Sequence, residues 1–317
     1  MRFLVTGANG FVGSALCDEL AARSLHYRAV TRNARDGDQF YACGELNDHT
    51  PWLSALEHID VVVHLAARVH VMRDAAADPL SEFRRTNVEG TMNLARQAVE
   101  AGVRRFVFVS SVKVNGECSL PGEVFSESVA RAPTDPYALS KWEAEQALIR
   151  LGKETGLEVV IVRPPLVYGP GVRANFLQLL NGVYRGWPTP FKAISNKRSL
   201  LFVGNLADAL ILCATHDEAA GQTYLLDDGI ALSSSELVAA IANSLGVPNR
   251  DFSIPLWALN MAATVLGRQA VVERLTQSLA VSNKKISTQL GWRPPFTTDE
   301  GLRLTAKWYA RQAAELS

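Results

Sequence analysis

The sequence has little of what marks a secreted, disulfide-rich or nucleic-acid-binding protein. Its 317 residues include only four cysteines, Cys17, Cys43, Cys118 and Cys213, which lie far apart and form no Cys-x-x-Cys pair. This usage favours unpaired thiols in a reducing cytoplasm. Basic and acidic residues number 32 each. Such a balance argues against nucleic acid or an anionic membrane surface as the main partner.

Long apolar runs, internal repeats and low-complexity segments are also missing. The most apolar C-terminal stretch, residues 256–266, is too short to cross a bilayer. A first strand predicted from Arg2 leaves no room for a targeting segment ahead of it. We therefore expect a cytoplasmic protein without a membrane span, and the sequence predicts no metal site.

A glycine-rich turn near the start of the chain carries the first functional signal. Residues 2–6 predict a buried strand. This strand is followed at once by Gly7, Gly10 and Gly13, and then by a helical pattern. In that context Gly7 allows a tight turn and Gly10 lets a pyrophosphate approach the backbone. Gly13 lets helix and strand pack closely. The order strand, glycine turn, helix predicts a dinucleotide site with phosphates at the helix N-terminus.

The next strand ends describe the adenosine side of that site. Residues 26–31 predict a second strand that ends at Arg32. An acidic residue there would bind the ribose 2′-hydroxyl of NAD, whereas Arg32 either meets the 2′-phosphate of NADP or stacks on adenine. NAD and NADP both stay open, with a slight preference for NADP. Residues 40–46 predict a short third strand that brings Glu45 and Leu46 near the adenine.

A fourth strand, predicted over residues 60–65 and buried on both faces, leads into Leu65, Ala66 and Ala67, where small side chains would let the cofactor pass. His64, at the end of this strand, is interpreted as a packed histidine without a chemical role.

The stretch 135–141 is the centre of the predicted chemistry. Pro136 suits the first turn of a helix, and Tyr137 and Lys141 then lie one turn apart on the same face. An ammonium about 4 Å from a phenol offsets much of the cost of ionising it at neutral pH. Such a Tyr transfers a proton to an alcohol or ketone oxygen while hydride moves at the attached carbon. Ser111, predicted at the carboxyl end of a strand over residues 105–109, would bind the same oxygen or cap a turn.

Beyond residue 169 the alternation of strands and helices loosens. Helices are predicted over 172–184, 233–245, 257–266 and 301–314, and strands near residue 200 and over 222–227. Ser233 and Glu236 have the spacing of a capping box. The predicted fold class is α/β, with a Rossmann-type doubly wound parallel sheet and a smaller C-terminal α/β substrate-binding part. The NAD(P)-binding domain spans 1–168 with 200–228 returning to it, and the substrate domain spans 169–199 and 229–317.

These stretches together resemble the extended short-chain dehydrogenase/reductase family, specifically its NAD(P)-dependent nucleotide-sugar epimerase/dehydratase group. The likeness covers essentially the whole chain and rests on residues 6–13, 64–67, 87–91, 108–111, 137–141 and 163–171. It implies a catalytic set of Ser111, Tyr137 and Lys141, in which Tyr137 is the acid/base and Lys141 tunes it and holds the nicotinamide ribose. It also implies a homodimer through helices over 87–101 and 136–151.

The same resemblance implies the binding residues. Asn175 and Arg198 match residues that bind the substrate diphosphate, and Arg274 matches more loosely. Residues Ser278 and Leu279 match the area that limits bulk at sugar C2, where their size would admit an N-acetyl group. Those implied or predicted to hold the cofactor are Gly7, Gly10, Phe11, Val12, Gly13, Arg32, Glu45, Leu46, Leu65, Ala66, Ala67, Asn87, Tyr137, Lys141 and Pro164.

The reaction implied is hydride transfer at C4 of a nucleoside-diphosphate sugar, with the UDP series favoured. A 4-epimerase of the UDP-glucose or UDP-N-acetylglucosamine type is favoured over an NADPH-dependent 4-ketoreductase of a UDP-4-keto-6-deoxy sugar. Dehydration is disfavoured because 4,6-dehydratases carry Asp-Glu after the catalytic Thr, whereas Val112 and Lys113 follow Ser111 here. A non-catalytic NADP-binding regulator is less favoured, because such proteins lose Tyr or Lys. Asn115 replaces a family Tyr, and the sequence offers no physical account of it.

Overall fold

A sheet of parallel strands organises the protein in the computed structural model, which describes residues 1–69, 78–120, 122–129, 131–265, 267 and 269–315. The strands are β1 (Arg2–Thr6), β2 (His26–Thr31), β3 (Phe40–Ala42), β4 (Val61–His64), β5 (Arg105–Val109), β6 (Glu158–Arg163), β7 (Leu166–Tyr168), β8 (Leu200–Phe202) and β9 (Thr223–Leu225). Seven of them form the main sheet in the order β3-β2-β1-β4-β5-β6-β9, and every pair is parallel. The predicted doubly wound α/β fold is confirmed.

Helices cover both faces of this sheet and build the C-terminal part. They are α1 (Phe11–Ala22), α2 (Leu53–Leu56), α3 (Pro79–Arg84), α4 (Thr91–Glu100), α5 (Pro136–Thr155), α6 (Ala174–Tyr184), α7 (Val203–Thr215), α8 (Ser234–Leu245), α9 (Leu256–Val265), α10 (Gln269–Thr276), α11 (Lys284–Leu290) and α12 (Thr298–Glu315). A π-helical segment, Arg85–Gly90, joins α3 to α4. The capping box predicted at the start of α8 is present, with Ser233 and Glu236 bonded reciprocally.

The strands divide their apolar side chains between two cores because successive residues point to opposite faces. In β1, Phe3 and Val5 join the core beneath α1 and α7, whereas Leu4 joins the core beneath α4 and α5. Val61 and Val62 of β4 divide in the same way. A strand buried on both faces is apolar at every position, which is why the sequence showed continuous runs there.

The chain reverses its direction of winding between β1 and β4, the neighbouring strands at the middle of the sheet. In open parallel sheets, ligands bind in the crevice beyond the carboxyl ends of the strands at such a point. The glycine turn after β1 and the residues 65–67 after β4 both lie at this crevice.

Three elements differ from the prediction. β3 ends at Ala42 rather than residue 46, and the helix expected from residue 87 begins as a π turn. The strand predicted near residue 200 exists as β8, but it pairs with β7 in a second, two-stranded sheet. β9 pairs with β6 at the edge of the main sheet, and residues of α7 and β9 pack in the core beneath α1.

Candidate active site

The glycine turn is too tight for any other side chain at two of its positions. Gly7 has φ +67°, and a Cβ there would lie 3.0 Å from the backbone nitrogen of Ala66. A Cβ on Gly13 would lie 2.1 Å from the carbonyl oxygen of Gly7. Helix α1 then begins at Phe11 with Gly10 as a cap that supplies no side-chain bond. The first amides of α1 are therefore available to an anion, and the residues present fit a dinucleotide pyrophosphate.

A buried hydrogen-bonded chain holds the end of β4 against this turn. Thr6 Oγ1 accepts from the backbone N–H groups of Leu65 and Ala66, both at 3.1 Å. Its own hydrogen is then left for His64 Nδ1 at 2.7 Å, so His64 Nε2 donates to Thr91 Oγ1 at 3.0 Å. Burial lowers the pKa of His64 to about 3. The neutral, fully bonded imidazole agrees with its interpretation as a packed histidine.

The predicted adenosine residues lie at the ends of β2 and β3. The carbonyl oxygen of Arg32 accepts from the N–H of Gly44 at 3.0 Å, which places Arg32 beside the segment that carries Glu45. The side chains of Arg32 and Glu45 are exposed. Leu46 packs closely on Gly90, where an added Cβ would lie 2.9 Å from its Cγ. The structure brings these residues together at one edge of the crevice.

Asn87 ties the segment after β4 to α5. Its Oδ1 accepts from the N–H of Arg68 at 2.8 Å, and its Nδ2 donates to the Arg68 carbonyl at 3.0 Å. Nδ2 also lies 3.0 Å from Ser140 Oγ on α5. Asn87 is buried inside the π segment, a local distortion that is frequent at functional sites. Asn87, which the family resemblance implies to hold the cofactor, thus fixes the chain after β4 against α5.

The three predicted catalytic residues meet at the carboxyl end of β5. Asp135 caps α5 by accepting from the N–H of Ala138 at 2.9 Å, which sets Tyr137 in the first turn. The phenol of Tyr137 is hydrogen-bonded to the side chain of Ser111. Lys141 Nζ donates to the carbonyl oxygen of Val109 at 2.9 Å. Ser111 Oγ also accepts from the N–H of residue 113 at 3.2 Å, so it caps the following turn as well.

The electrostatics of the pair differ from the sequence-based expectation. Burial, followed by the charge of Asp135, raises the pKa of Tyr137 to about 12, although the bond to Ser111 opposes the shift. Burial also lowers the pKa of Lys141 to about 7, with Glu145 opposing. The prediction that the ammonium lowers the phenol pKa is therefore wrong for this structure. Loss of solvent penalises the charged form of each group.

A buried ion pair behind the catalytic helix was missed from sequence. Arg163 Nε donates to Glu145 Oε1 at 2.9 Å. Glu145 lies on α5, one helical turn beyond Lys141. Arg163 Nη1 donates to Asn115 Oδ1 at 3.2 Å and to the Glu127 carbonyl at 2.8 Å. Asn115 in turn donates to the Ser126 carbonyl at 2.6 Å. Asn115 thus fastens the loop beyond Ser111 to the end of β6, which is the physical account that the sequence lacked.

Pro164, directly after Arg163, is buried, and its carbonyl oxygen accepts from the N–H of Val112 at 3.0 Å. This bond supports the turn that carries Ser111.

The predicted substrate residues come from separate elements of the C-terminal part. Asn175 is exposed in the first turn of α6. Arg198 forms backbone bridges to Leu232 and Leu279, and its Nη1 donates to the carbonyl of residue 277 at 3.2 Å. Leu279 packs with Val112 of the catalytic turn, so this region adjoins the site. Arg274 lies on α10, and its side chain is outside the described part of the protein.

Neither a metal centre nor a membrane span is found in the described part of the protein. Over the described ranges, no group of three or more His, Cys, Asp or Glu side chains is placed to hold a metal ion. No helix among the same residues is both long and apolar enough to cross a bilayer.

Comparison with known proteins identifies the class that this fold and site define. The model of the NAD dependent epimerase/dehydratase family matches residues 3–226, and the chain belongs to that family. A UDP-glucose 4-epimerase of Vibrio cholerae is 42% identical over 308 residues, covering 96% of this chain and 94% of the relative.

Solved structures give the same picture. MoeE5 in complex with UDP-glucose and NAD superposes with a TM-score of 0.78 at 27% identity, covering 99% of this chain and 100% of the other. The UDP-glucose 4-epimerase of Thermus thermophilus in complex with NAD has a TM-score of 0.76 at 25% identity, covering 98% and 99%. The family resemblance predicted from the motifs is confirmed.

Proposed function

We propose that the protein is an NAD-dependent C4 epimerase of a UDP-hexose. The observation that carries this proposal is the joining of Ser111, Tyr137 and Lys141 at the sheet edge that also holds the glycine turn. The 42% identity to an epimerase along nearly the full length of both chains supports the reaction type. NAD is favoured over NADP because the family is NAD dependent and the related solved structures contain NAD.

The side chains divide the proton chemistry between them. When bound, NAD supplies the hydride acceptor and donor at the sugar carbon. Tyr137 carries its proton at neutral pH because its pKa is raised to about 12. That proton is donated to the C4 oxygen when the 4-keto intermediate is reduced, and in the preceding oxidation the phenolate form of Tyr137 would take the same proton from the C4 hydroxyl, so the proton balances over one epimerisation. Ser111 hydrogen-bonds the phenol and would bind the same oxygen, which fixes the oxygen between two groups.

Dehydration is disfavoured by the two residues that follow Ser111. Val112 is buried in an apolar cluster. Lys113 presents an ammonium whose Nζ lies 3.5 Å from Glu117 and 3.8 Å from Asp135. Neither side chain can remove a proton as a carboxylate would at this position.

The remaining assignments belong to the same proposal. The glycine turn, the ends of β2 and β3, residues 65–67, Asn87 and Pro164 would hold the cofactor. Asn175, Arg198 and Arg274 would hold the UDP-sugar. We assign 1–168 with 200–228 to the cofactor domain and 169–199 with 229–317 to the substrate domain. The four cysteines are free thiols, which supports a reducing cytoplasm.

A homodimer through α4 and α5 is also part of the proposal. Val88 of the π segment, Met92 of α4 and Ala147 and Leu151 of α5 line, with charged residues, a shallow cavity of about 500 Å³. A mixed apolar and charged helical surface of this kind suits packing against a second copy.

The test is to isolate the protein and supply UDP-galactose or UDP-N-acetylgalactosamine without added cofactor. Heat-released nucleotide is identified by chromatography, and sugar epimers are followed by NMR. The proposal predicts copurified NAD and an equilibrium mixture of C4 epimers. Turnover that occurs only with added NADPH and a 4-keto-6-deoxy sugar would instead establish the ketoreductase.

A further inference from the structure

Helix α9 presents an unusual surface in the C-terminal part. Trp257, Met261 and Val265 follow one another at four-residue spacing, so they share one face of the helix. Their exposed fractions are 69%, 59% and 81%. Leu259, on the opposite side, packs on the core beneath α8 and α12, and α9 otherwise packs mainly on α10. Large apolar side chains exposed together in this way mark an interaction surface.

Two more exposed aromatic side chains lie on the chain that precedes α9 and on a loop bonded to that chain. The N–H of Phe252 donates to the Thr189 carbonyl at 2.9 Å, and the N–H of Lys192 donates to the Phe252 carbonyl at 3.2 Å. These bonds join the segment 250–252 to the loop after α6. Phe252 on the first and Trp187 on the second are 42% and 58% exposed. We call Trp187, Phe252, Leu256, Trp257, Met261 and Val265 the α9 surface.

The exposed charges on the two joined segments are of one sign, whereas α10 adds the exposed Glu273. Arg185, Lys192 and Arg250 are exposed on the two joined segments, and Arg250 lies 3.5 Å from the position of a Cβ on Gly186. Asp251 is the one acidic residue within the described residues 184–192 and 250–265. Its carboxylate is turned inward to the Thr189 hydroxyl at 3.0 Å and other donors. The whole chain has no net charge, so any attraction to an anionic partner must be local, and it is local here.

We propose that the α9 surface docks the protein on an anionic lipid bilayer. Tryptophan beside aliphatic side chains on one face is typical of a helix that lies in the plane of a bilayer interface, and the basic residues that usually accompany such a face come here from the two joined segments and not from α9. At about 1.5 Å per residue, the ten residues of α9 extend about 15 Å, which suits lying on a bilayer and not crossing it. The basic residues of the two joined segments favour anionic headgroups, and an uncharged apolar partner would gain nothing from them.

The experiment is cosedimentation of the full chain with vesicles of phosphatidylcholine containing about 30% phosphatidylglycerol, at low and at high salt. We expect binding at low salt, weaker binding at high salt, and little binding to pure phosphatidylcholine. Met261→Glu should reduce partitioning at least tenfold. Arg250→Glu should reduce it by about fivefold or more, since each basic residue near the bilayer contributes about that factor. The matched control is Leu53→Glu, which replaces an exposed leucine on the short helix α2, far from α9 in the sequence. This variant should bind the vesicles as the parent does.

Absence of binding to the anionic vesicles at low salt would overturn the proposal, as would equal loss in Met261→Glu and Leu53→Glu. Light scattering without vesicles tests the other occupant, a second copy. A dimer that Met261→Glu dissociates, without vesicle binding by the parent, would assign the α9 surface to self-association and overturn lipid docking. Vesicle binding is measured without substrate, so its outcome is separate from that of the epimerase assay.

Discussion

Tyr137 is held in place from three directions. Ser111 bonds its phenol, Phe83 packs against its ring at 5.9 Å in an edge-to-face arrangement, and Ser140 Oγ donates to its backbone carbonyl at 2.7 Å. Ser140 in turn is bonded to Asn87 of the π segment. The position of the proposed acid/base therefore depends on side chains from four segments, and one of these side chains, Phe83, lies in no motif that marks it.

Removing the phenol hydroxyl tests the acid/base assignment. Tyr137→Phe keeps the ring that contacts Phe83, so the fold and the amount of bound NAD should change little. Turnover should fall by about 100- to 10,000-fold, because no other group described at the site is placed to supply this proton. The measurement is epimer interconversion alongside the NAD content of the purified protein. The control is Tyr184→Phe on an exposed ring. Undiminished turnover in Tyr137→Phe would contradict the assignment.

Lys141 predicts a pH dependence of stability. Its pKa is about 7 in the folded protein against 10.5 as the ordinary value. Between these values the unfolded chain binds a proton that the folded chain does not, so the free energy of unfolding rises with pH from about 7 to 10.5, and below about 7 the contribution of Lys141 no longer changes with pH. Lys141→Met should flatten the pH dependence of the free energy of unfolding between about pH 7 and 9. Urea unfolding at a series of pH values measures this dependence. The control is Lys153→Met, at an exposed lysine on the same helix, which should leave this pH dependence unchanged. Equal slopes in Lys141→Met and the parent would refute the lowered pKa.

At the scale of elements, local signals were predictable and those that depend on the tertiary structure were not. The glycine turn and the pair Tyr137 and Lys141 follow from backbone conformation and helical spacing, which a sequence shows directly. The ion pair of Glu145 and Arg163 joins residues 18 apart on a helix and a strand, so spacing gives no sign of it. The direction of the Tyr137 pKa shift depends on how many neighbours exclude water, which only the packed structure shows. β8 was predicted as a strand, but its partner strand was not.

The close approach of β1, the glycine turn and α1 predicts the effect of a single methyl group. Gly13→Ala would place Cβ 2.1 Å from the Gly7 carbonyl, so the turn and the helix must move apart. Bound NAD should be lost, and stability should fall by about 1 to 3 kcal/mol. Gly182→Ala, within α6, is the matched control. Its Cβ would make an ordinary contact 3.5 Å from Trp187, and it should stabilise by about 0.5 to 1 kcal/mol. NAD content and urea unfolding are measured for both variants. Retained NAD in Gly13→Ala would contradict the assignment of the glycine turn as the pyrophosphate site.

At the scale of the whole molecule, two adjacent aspartates after β9 connect the main sheet to the second sheet. Asp228 accepts from the Tyr168 hydroxyl at 2.9 Å, from the N–H of Phe202 at 2.9 Å and from Asn205 Nδ2 at 2.7 Å. Asp227 accepts from the Ser199 hydroxyl at 3.2 Å. Burial raises the pKa of both carboxyl groups, for Asp227 to about 6. These residues stand at the proposed boundary between the cofactor and substrate domains, where a sequence shows only a polar loop.

Deleting the Asp228 carboxylate tests how strongly this junction stabilises the molecule. Asp228→Ala leaves the hydroxyl of Tyr168, the amide of Phe202 and the side chain of Asn205 buried without their acceptor. Because each orphaned buried donor costs about 1 to 3 kcal/mol, we expect a loss of about 3 kcal/mol or more in the free energy of unfolding. The measurement is urea unfolding by circular dichroism, with Asp217→Ala, an exposed carboxylate, as the control expected to change stability by less than about 0.5 kcal/mol. If Asp228→Ala unfolds at the same urea concentration as Asp217→Ala, the two sheets are held together by their apolar contacts and not by this carboxylate.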